Sequence, residues 1–286
     1  MDHSGGAPRT LVSGLAIGES PRWRDGRLWL CNWGAQEVLA VDAAGATEVM
    51  ARVPTSIPFS IDWLPDGRLL VVCGREGLLL RREPDGSLAT HADLTSLGRH
   101  PWNEIVVDGR GNAYVNHTGF DFPGGAFAPG TVALVRPDGS ARQVADDVWF
   151  PNGMAVTPDN ATLIVAESYG HRLTAFDIAP DGGLAGRRVW AALEGGVPDG
   201  ICLDADGAAW YADVPGQRCV RVQEGGAVLQ AIELDRGGFA CMLGGEDGRT
   251  LFILAADWGG PDAMHDMART GQVLSAAAPA AGAGWP

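Results

Sequence analysis

Basic side chains, cysteine pairs, long apolar runs and helical periodicity are all scarce in this chain of 286 residues, and each shortage removes a class of function. Twenty-one Lys and Arg side chains face 35 Asp and Glu, for a formal charge of -14. That balance repels phosphate backbones and anionic lipid surfaces, so neither nucleic acid nor membrane is an expected partner. The first twenty residues hold no unbroken apolar segment behind a basic start, and no later stretch nears the ~20 apolar residues of a membrane span. A soluble, cytoplasmic protein is expected. The five cysteines, Cys31, Cys73, Cys202, Cys219 and Cys241, are odd in number, scattered and without a C-x-x-C pair. Reduced, buried thiols are expected rather than a disulfide framework or a thiolate metal site. The histidines (His3, His91, His100, His117, His171, His265) form no i, i+4 metal pair, and no G-x-G-x-x-G or Walker pattern offers a nucleotide cradle.

At 46% apolar and 20% charged, the chain is still able to bury a full core. Its 41 glycines and 18 prolines are spread evenly and punctuate runs of four to eight residues rich in Val, Leu, Ile and Trp. That pattern predicts short strands and tight turns, an all-β chain.

The turns repeat. Strand-turn-strand units begin at Asp25, Asp66, Arg110, Asp159, Asp206 and Asp247, with steps of 41, 44, 49, 47 and 41 residues. Six copies at a period in the forties predict a six-bladed β-propeller with four antiparallel strands per blade. Second hairpins such as Val132–Ser140 and Leu173–Gly182 supply the outer strands. Leu11-Val12 and Leu15–Ile17 are placed to pair with the last blade and close the ring, which protects its edges. One domain spanning 1–286 is expected, with Ser275 to Pro286 as a frayed end.

In a propeller the first strand of each blade lines the central channel, so one register position recurs around a ring. Counting back six or seven residues from each turn gives Glu19, Ser60, Asn103, Asn152, Asp199 and Ala240. Two acids and two carboxamides meeting at one axis must be neutralised, hydrogen-bonded or metal-bound. Backbone-satisfied turn residues explain any one of them, but a divalent cation in the channel explains the set. Oxygen ligands suit calcium best, with manganese, magnesium, iron or zinc as alternatives. The absence of His and Cys from the ring argues against a zinc cage.

The motifs at these positions resemble a known family. Gly18-Glu19-Ser20-Pro21-Arg22-Trp23, Phe150-Pro151-Asn152-Gly153-Met154, Pro198-Asp199-Gly200 and Ala166-Glu167-Ser168, in that phase, are similar to those of the SMP-30/gluconolactonase/LRE-like propellers, from Leu15 to Leu274. The resemblance implies a metal-dependent lactonase with Glu19, Asn152 and Asp199 as protein ligands, and Asn103 beside the metal orienting substrate or water. It further implies Asp199 as general base towards water, provided one carboxylate oxygen stays free. Relatives acting on sugar lactones often carry Arg two residues before that asparagine, where this chain has Pro101, a difference that bears on an aldonolactone substrate. Arg99 or His100 is the candidate replacement. With Asn103, the residues Arg99, His100, Trp102, Asp121 and His117 are expected to contact a small lactone or ester.

His171 is a further candidate for the pocket mouth, although a capping histidine is the plainer reading for it and for His117. Trp102, Trp149 and Trp258 are candidate pocket walls. Ser168 lacks the first glycine of G-x-S-x-G and is not expected to be a nucleophile. Asp204 to Gly207 has the start of a calcium loop without its later acids, and reads as a blade turn. Rival functions on the same fold are organophosphate or fluorophosphate hydrolysis at the same metal, a non-catalytic calcium-binding propeller, and a metal-free strictosidine-synthase-like condensing enzyme. The filled metal positions argue against the last.

Overall fold

The structure, a computed structural model, describes residues 7–55, 57–262 and 267–285. Strand β1 (Arg9–Leu15) runs into the first blade, formed by β2 (Gly18–Arg24), β3 (Arg27–Asn32), β4 (Glu37–Val41) and β5 (Thr47–Arg52). The second blade comprises β6 (Phe59–Trp63), β7 (Leu69–Cys73), β8 (Leu78–Arg82) and β9 (Leu88–Asp93). The third comprises β10 (Trp102–Val107), β11 (Ala113–His117), β12 (Gly130–Val135) and β13 (Ala141–Val148). The fourth holds β14 (Pro151–Val156), β15 (Thr162–Glu167), β16 (Arg172–Ile178) and β17 (Leu184–Ala192). The fifth holds β18 (Pro198–Asp204), β19 (Ala209–Asp213), β20 (Arg218–Val222) and β21 (Val228–Glu233). The sixth is β22 (Gly237–Gly244), β23 (Thr250–Ala256), β24 (Gly271–Ala277) and β1 itself, which pairs antiparallel with β24 and closes the ring.

The first strands β2, β6, β10, β14, β18 and β22 each neighbour the next in cyclic order and surround the axis. The core is therefore divided among the blade interfaces. Cys31, Val38, Phe59 and Ile61 fill the first of these, and Ala166, Leu173, Ile201 and Tyr211 another between the fourth and fifth blades. The inner turns hold their shape because an aspartate accepts from the backbone two residues on, as Asp66 Oδ1 does from Arg68 N at 3.1 Å and Asp247 Oδ1 from Arg249 N at 2.9 Å. All five cysteines are buried and free. Among the described residues no helix is long and apolar enough to cross a membrane.

The expectation of a frayed C-terminus is corrected. Residues up to Ala277 belong to β24, and the chain then crosses the far end of the channel. There β25 (Gly282–Ala283) adds to β18 through Leu203 and Asp204. Trp285 exchanges both backbone hydrogen bonds with Val156, at 2.8 and 2.9 Å, on the neighbouring blade. Ala278 and Ala280 are buried on the way. Alanine and glycine do poorly in a strand interior, but here the partners are strand ends with unpaired backbone groups, and the small side chains allow the close approach.

Candidate functional site

Four residues of the expected ring, Glu19, Asn103, Asn152 and Asp199, line one cavity of about 460 Å³ at the end of the channel where the first strands begin. Ser60 and Ala240 do not. The difference has a backbone cause. Strand pairing slips between Glu19 and Arg22, Trp102 and Ile105, Pro151 and Met154, and Pro198 and Ile201, at or beside each of the four polar residues. Such bulges re-aim a side chain towards the axis. In the second blade β6 pairs with β7 without a break, and Ser60 stays buried with its hydroxyl unpartnered. In the sixth blade β22 slips as well, between Gly238 and Ala240, and there the bulge brings Phe239 to the cavity instead of its neighbour Ala240.

The glycines of the two later motifs are needed for close approach. A Cβ on Gly153 would lie 2.5 Å from Ile201 N and 2.6 Å from Asp199 O, and one on Gly200 would lie 2.5 Å from Ala240 Cβ. Only glycine lets adjacent first strands converge just behind Asn152 and Asp199.

A hydrogen-bond chain orients the carboxamides. Asn103 Nδ2 donates to Asn152 Oδ1 at 3.3 Å, and Asn152 Nδ2 reaches Ser168 Oγ at 3.4 Å. Ser168 in turn donates to Pro198 O at 2.7 Å. The chain fixes which way the Asn152 amide is turned, and Oδ1 keeps one lone pair beyond the bond from Asn103. Below it, Ser20 takes a left-handed backbone (φ 50°), donates to Glu104 Oε1 at 2.9 Å and accepts from Ile61 N at 3.0 Å. Buried Arg22 bridges Glu104 at 3.2 Å and Asp62 at 3.8 Å, joining three blades beneath the cavity floor.

The electrostatics of the floor are unbalanced. Burial, then the charges of Asp199 and Glu104, push the Glu19 carboxyl well above the usual range, with Arg22 offsetting only part. Burial, then Glu104 and Asp213, do the same to Asp199. Asp199 Oδ1 is out of solvent contact and has no hydrogen-bond partner. Two acids crowded together, one with an orphaned oxygen, are the arrangement a dication would relieve. Among the described residues no three His, Cys, Asp or Glu side chains form a metal-holding group, so an ion here would take two carboxylates and the Asn152 carboxamide. That donor set is all oxygen and fits a hard cation.

The other expected substrate contacts are not brought to the cavity. Trp102 is 1% exposed, because alternation along β10 turns it away from the side that Asn103 faces. His117 packs edge-on against Trp102 at 5.2 Å. Both its ring nitrogens face backbone N–H groups, His100 N at 3.2 Å and Gly119 N at 3.1 Å. Burial and then the nearby His100 lower its pKa to about 4, so it is a neutral packing residue. His100 pairs with exposed Asp121 at 3.2 Å on the outer surface, and Arg99 is exposed outside the cavity. Trp149 is 43% exposed and also stands off the lining. Trp258 and His171 do line it. His171 Nδ1 donates to Gly196 O at 2.8 Å, which fixes the orientation of the ring. His3 and His265 lie outside the described residues.

Sequence reasoning missed a second ring. Trp33, Arg75, Thr118, Ser168, Val214 and Trp258 all line the cavity, and each follows within two residues the second strand of its blade. First strands start and second strands end at the same face, so a count forward from each inner turn finds this ring as the count backward finds the first. Arg75 is its one cation, held by donation from Nε to Ile57 O at 2.9 Å.

Comparison with known proteins bears on the family and the fold. The model of the SMP-30/gluconolactonase/LRE-like region matches residues 17–257. A 6-deoxy-6-sulfogluconolactonase of Pseudomonas putida is 34% identical over 131 residues, 44% of this chain and 45% of that one. The match thus spans about half the length of that relative. Regucalcin of Xenopus laevis is 27% identical over 252 residues, covering 84% of this chain and 83% of the relative. Among solved structures, the regucalcin of Agrobacterium tumefaciens superposes with a TM-score of 0.77 at 21% identity, over 97% of this chain and 95% of the other, which attests the fold. With the family model matching residues 17–257, which cover five blades and the inner two strands of the sixth, the chain belongs to the SMP-30/gluconolactonase/LRE-like family.

Proposed function

We propose that the protein is a metal-dependent hydrolase that opens the ring of a small lactone. The observation that carries this reading is the cavity floor, where Glu19 and Asp199 share a buried space with Asp199 Oδ1 left without a partner. Family membership supports it, since one relative is a lactonase and a structural neighbour is a calcium-binding protein.

In this reading Glu19, Asn152 and Asp199 hold a divalent cation, calcium by preference for an all-oxygen set. When bound, the ion supplies Lewis-acid polarisation of the ester carbonyl and makes water acidic enough to attack near neutral pH. The rest belongs to the chain. Asn103 holds the Asn152 amide with its oxygen inward, and Ser168 supports that amide from the other side. Asp199 takes the proton of the attacking water. As the new C–O bond forms and the ring C–O bond breaks, that proton passes to the departing alkoxide oxygen, giving a hydroxy acid. The cytoplasmic, one-domain organisation expected above completes the proposal.

Metal analysis of the purified protein followed by pH-stat assays on a lactone panel, with and without chelator, tests the reading. Acid release that stops on chelation and returns with calcium or manganese is expected. Full turnover by metal-free protein would refute it, as would bound metal without turnover of any lactone.

A further inference from the structure

The wall above the floor is largely apolar and aromatic. Trp33, Phe122, Phe150, Tyr169, Phe239 and Trp258 contribute six aromatic rings to it, and Ile57, Val197, Val214 and several prolines fill the spaces between. The polar groups of the wall are largely spent on the protein itself. Thr118 Oγ1 donates to Phe120 O at 2.9 Å, Ser168 Oγ to Pro198 O at 2.7 Å, and His171 Nδ1 to Gly196 O at 2.8 Å. What remains beyond the floor is the outer guanidinium of Arg75, His171 Nε2, the Tyr169 hydroxyl and the Trp258 indole N–H.

A chain insertion reinforces the apolar side. Between second and third strands four blades use short loops, 33–36, 74–77, 168–171 and 214–217, whereas the third blade spends residues 118–129. That loop carries Phe120, Phe122 and Phe127. Phe122 lies 4.9 Å from Phe150, Phe120 lies 5.4 Å from Phe150 and 5.9 Å from Tyr169, and Phe150 stacks on Tyr169 at 4.8 Å with 24° between planes. Phe127, Trp149 and Tyr169 are 42%, 43% and 40% exposed and extend the aromatic surface onto the rim. Clustered exposed rings continuous with a cavity mark a surface kept for a ligand.

The geometry points to a lactone bearing an aryl group as the substrate class, its ester at the polar floor and its ring against the six aromatic side chains. The inference rests on the lactone-hydrolase reading and names the substrate for it. A polyhydroxylated lactone has a hydroxyl on nearly every carbon. Against this wall most of those groups would lose water without gaining a partner, a penalty that discriminates strongly. A fused aryl ring loses nothing polar, and a cavity of about 460 Å³ lies within the range that encloses a small drug-sized molecule.

The test compares kcat/KM for 3,4-dihydrocoumarin, γ-butyrolactone and δ-gluconolactone on the metal-loaded protein. Dihydrocoumarin is expected to exceed δ-gluconolactone by at least about a hundredfold. Phe122→Ser and Tyr169→Ser are each expected to lower the dihydrocoumarin to γ-butyrolactone ratio by about tenfold or more, the scale of a lost apolar contact. A preference for δ-gluconolactone, or ratios unmoved in both variants, overturns the substrate class and leaves the hydrolase reading standing. If no lactone is turned over, the hydrolase reading fails, and binding decides the class separately. Calorimetric titration with the unhydrolysed lactam 3,4-dihydroquinolin-2(1H)-one should then show tighter binding than δ-gluconolactam. Equal or weaker binding overturns it.

Discussion

Replacing Asp199 by Asn removes one of two crowded buried charges while leaving an oxygen of nearly the same shape on the cavity floor. Two opposite effects follow, and together they separate a metal site from a merely polar one. In chelator, wild type carries an unpartnered Asp199 Oδ1 beside Glu19, with Glu104 and Asp213 near enough to raise Asp199 further. Relieving a buried like-charge pair is worth about 1–3 kcal/mol. At roughly 2 °C per kcal/mol for a chain of this size, Asp199→Asn should melt about 2–6 °C higher than wild type when both are metal-free. Calcium reverses the order. An ion at 100 times its Kd stabilises the native state by about 2.7 kcal/mol, or roughly 5 °C, and the variant, short of one charged ligand, should show only a small part of that rise. Differential scanning calorimetry in chelator and across a calcium series measures both. A variant that melts lower than wild type in chelator, or that gains as much from calcium, would show that Asp199 is neither strained by its neighbours nor a ligand.

Two further expectations concern parts of the molecule away from the chemistry. Ending the chain at Ala278 deletes both Trp285–Val156 hydrogen bonds and those of Ala281 O and Gly282 N, and should lower Tm by about 2–6 °C once the ordering entropy is subtracted; calorimetry showing an unchanged Tm would refute this. His117, at about 4 in the folded protein, binds less proton than its unfolded counterpart near 6.5, so its contribution is complete above pH 6.5 and is lost as pH falls towards 4. Asp62, raised to about 6 chiefly by burial, acts in the opposite sense, favouring the fold as pH falls from 6 towards 3.8. Urea unfolding from pH 7 to 4 should therefore give wild type a steeper acid loss than His117→Gln, by up to about 3 kcal/mol, and parallel curves would refute the assignment.

The fold was legible because each blade reuses one local device, an Asx-type turn between two short apolar runs, and a period survives where single strands are ambiguous. The ring of polar residues was legible for the same reason, since phase within the repeat sets which face of β2, β10, β14 and β18 meets the axis. Neighbourhood in sequence was a poorer guide. Trp102 adjoins Asn103 yet lies on the opposite face of β10, and His117 on the next strand follows Trp102 into the core. Of the aromatic wall only Trp258 was anticipated, because all but Phe239 lies outside the strands, and the loop at 118–129 is three times the length of its counterparts in four other blades, so a fixed count misplaces its residues. The C-terminal strap escaped because Ala, Gly and Pro carry no strand signal. Its pairing depends on free edges of β14 and β18 more than 70 residues earlier in the chain.

The site is not contained in any blade. Glu19 comes from the first, Asn103 from the third, Asn152 from the fourth and Asp199 from the fifth, while the glycines behind Asn152 and Asp199 let those strands approach more closely than a Cβ would allow. Their spacing is therefore a property of the closed ring. Two devices hold that ring, and they act at different places: β1 completes the sixth blade beside the first, and β25 with Trp285 ties the far ends of the fifth and fourth. Arg22 supplies a third tie directly beneath the floor, through Glu104 and Asp62 of the third and second blades. A cluster of acids at the axis repels itself and pushes the blades apart. The closures supply the opposing constraint, so the floor can keep an unsatisfied carboxylate oxygen without the ring opening to water.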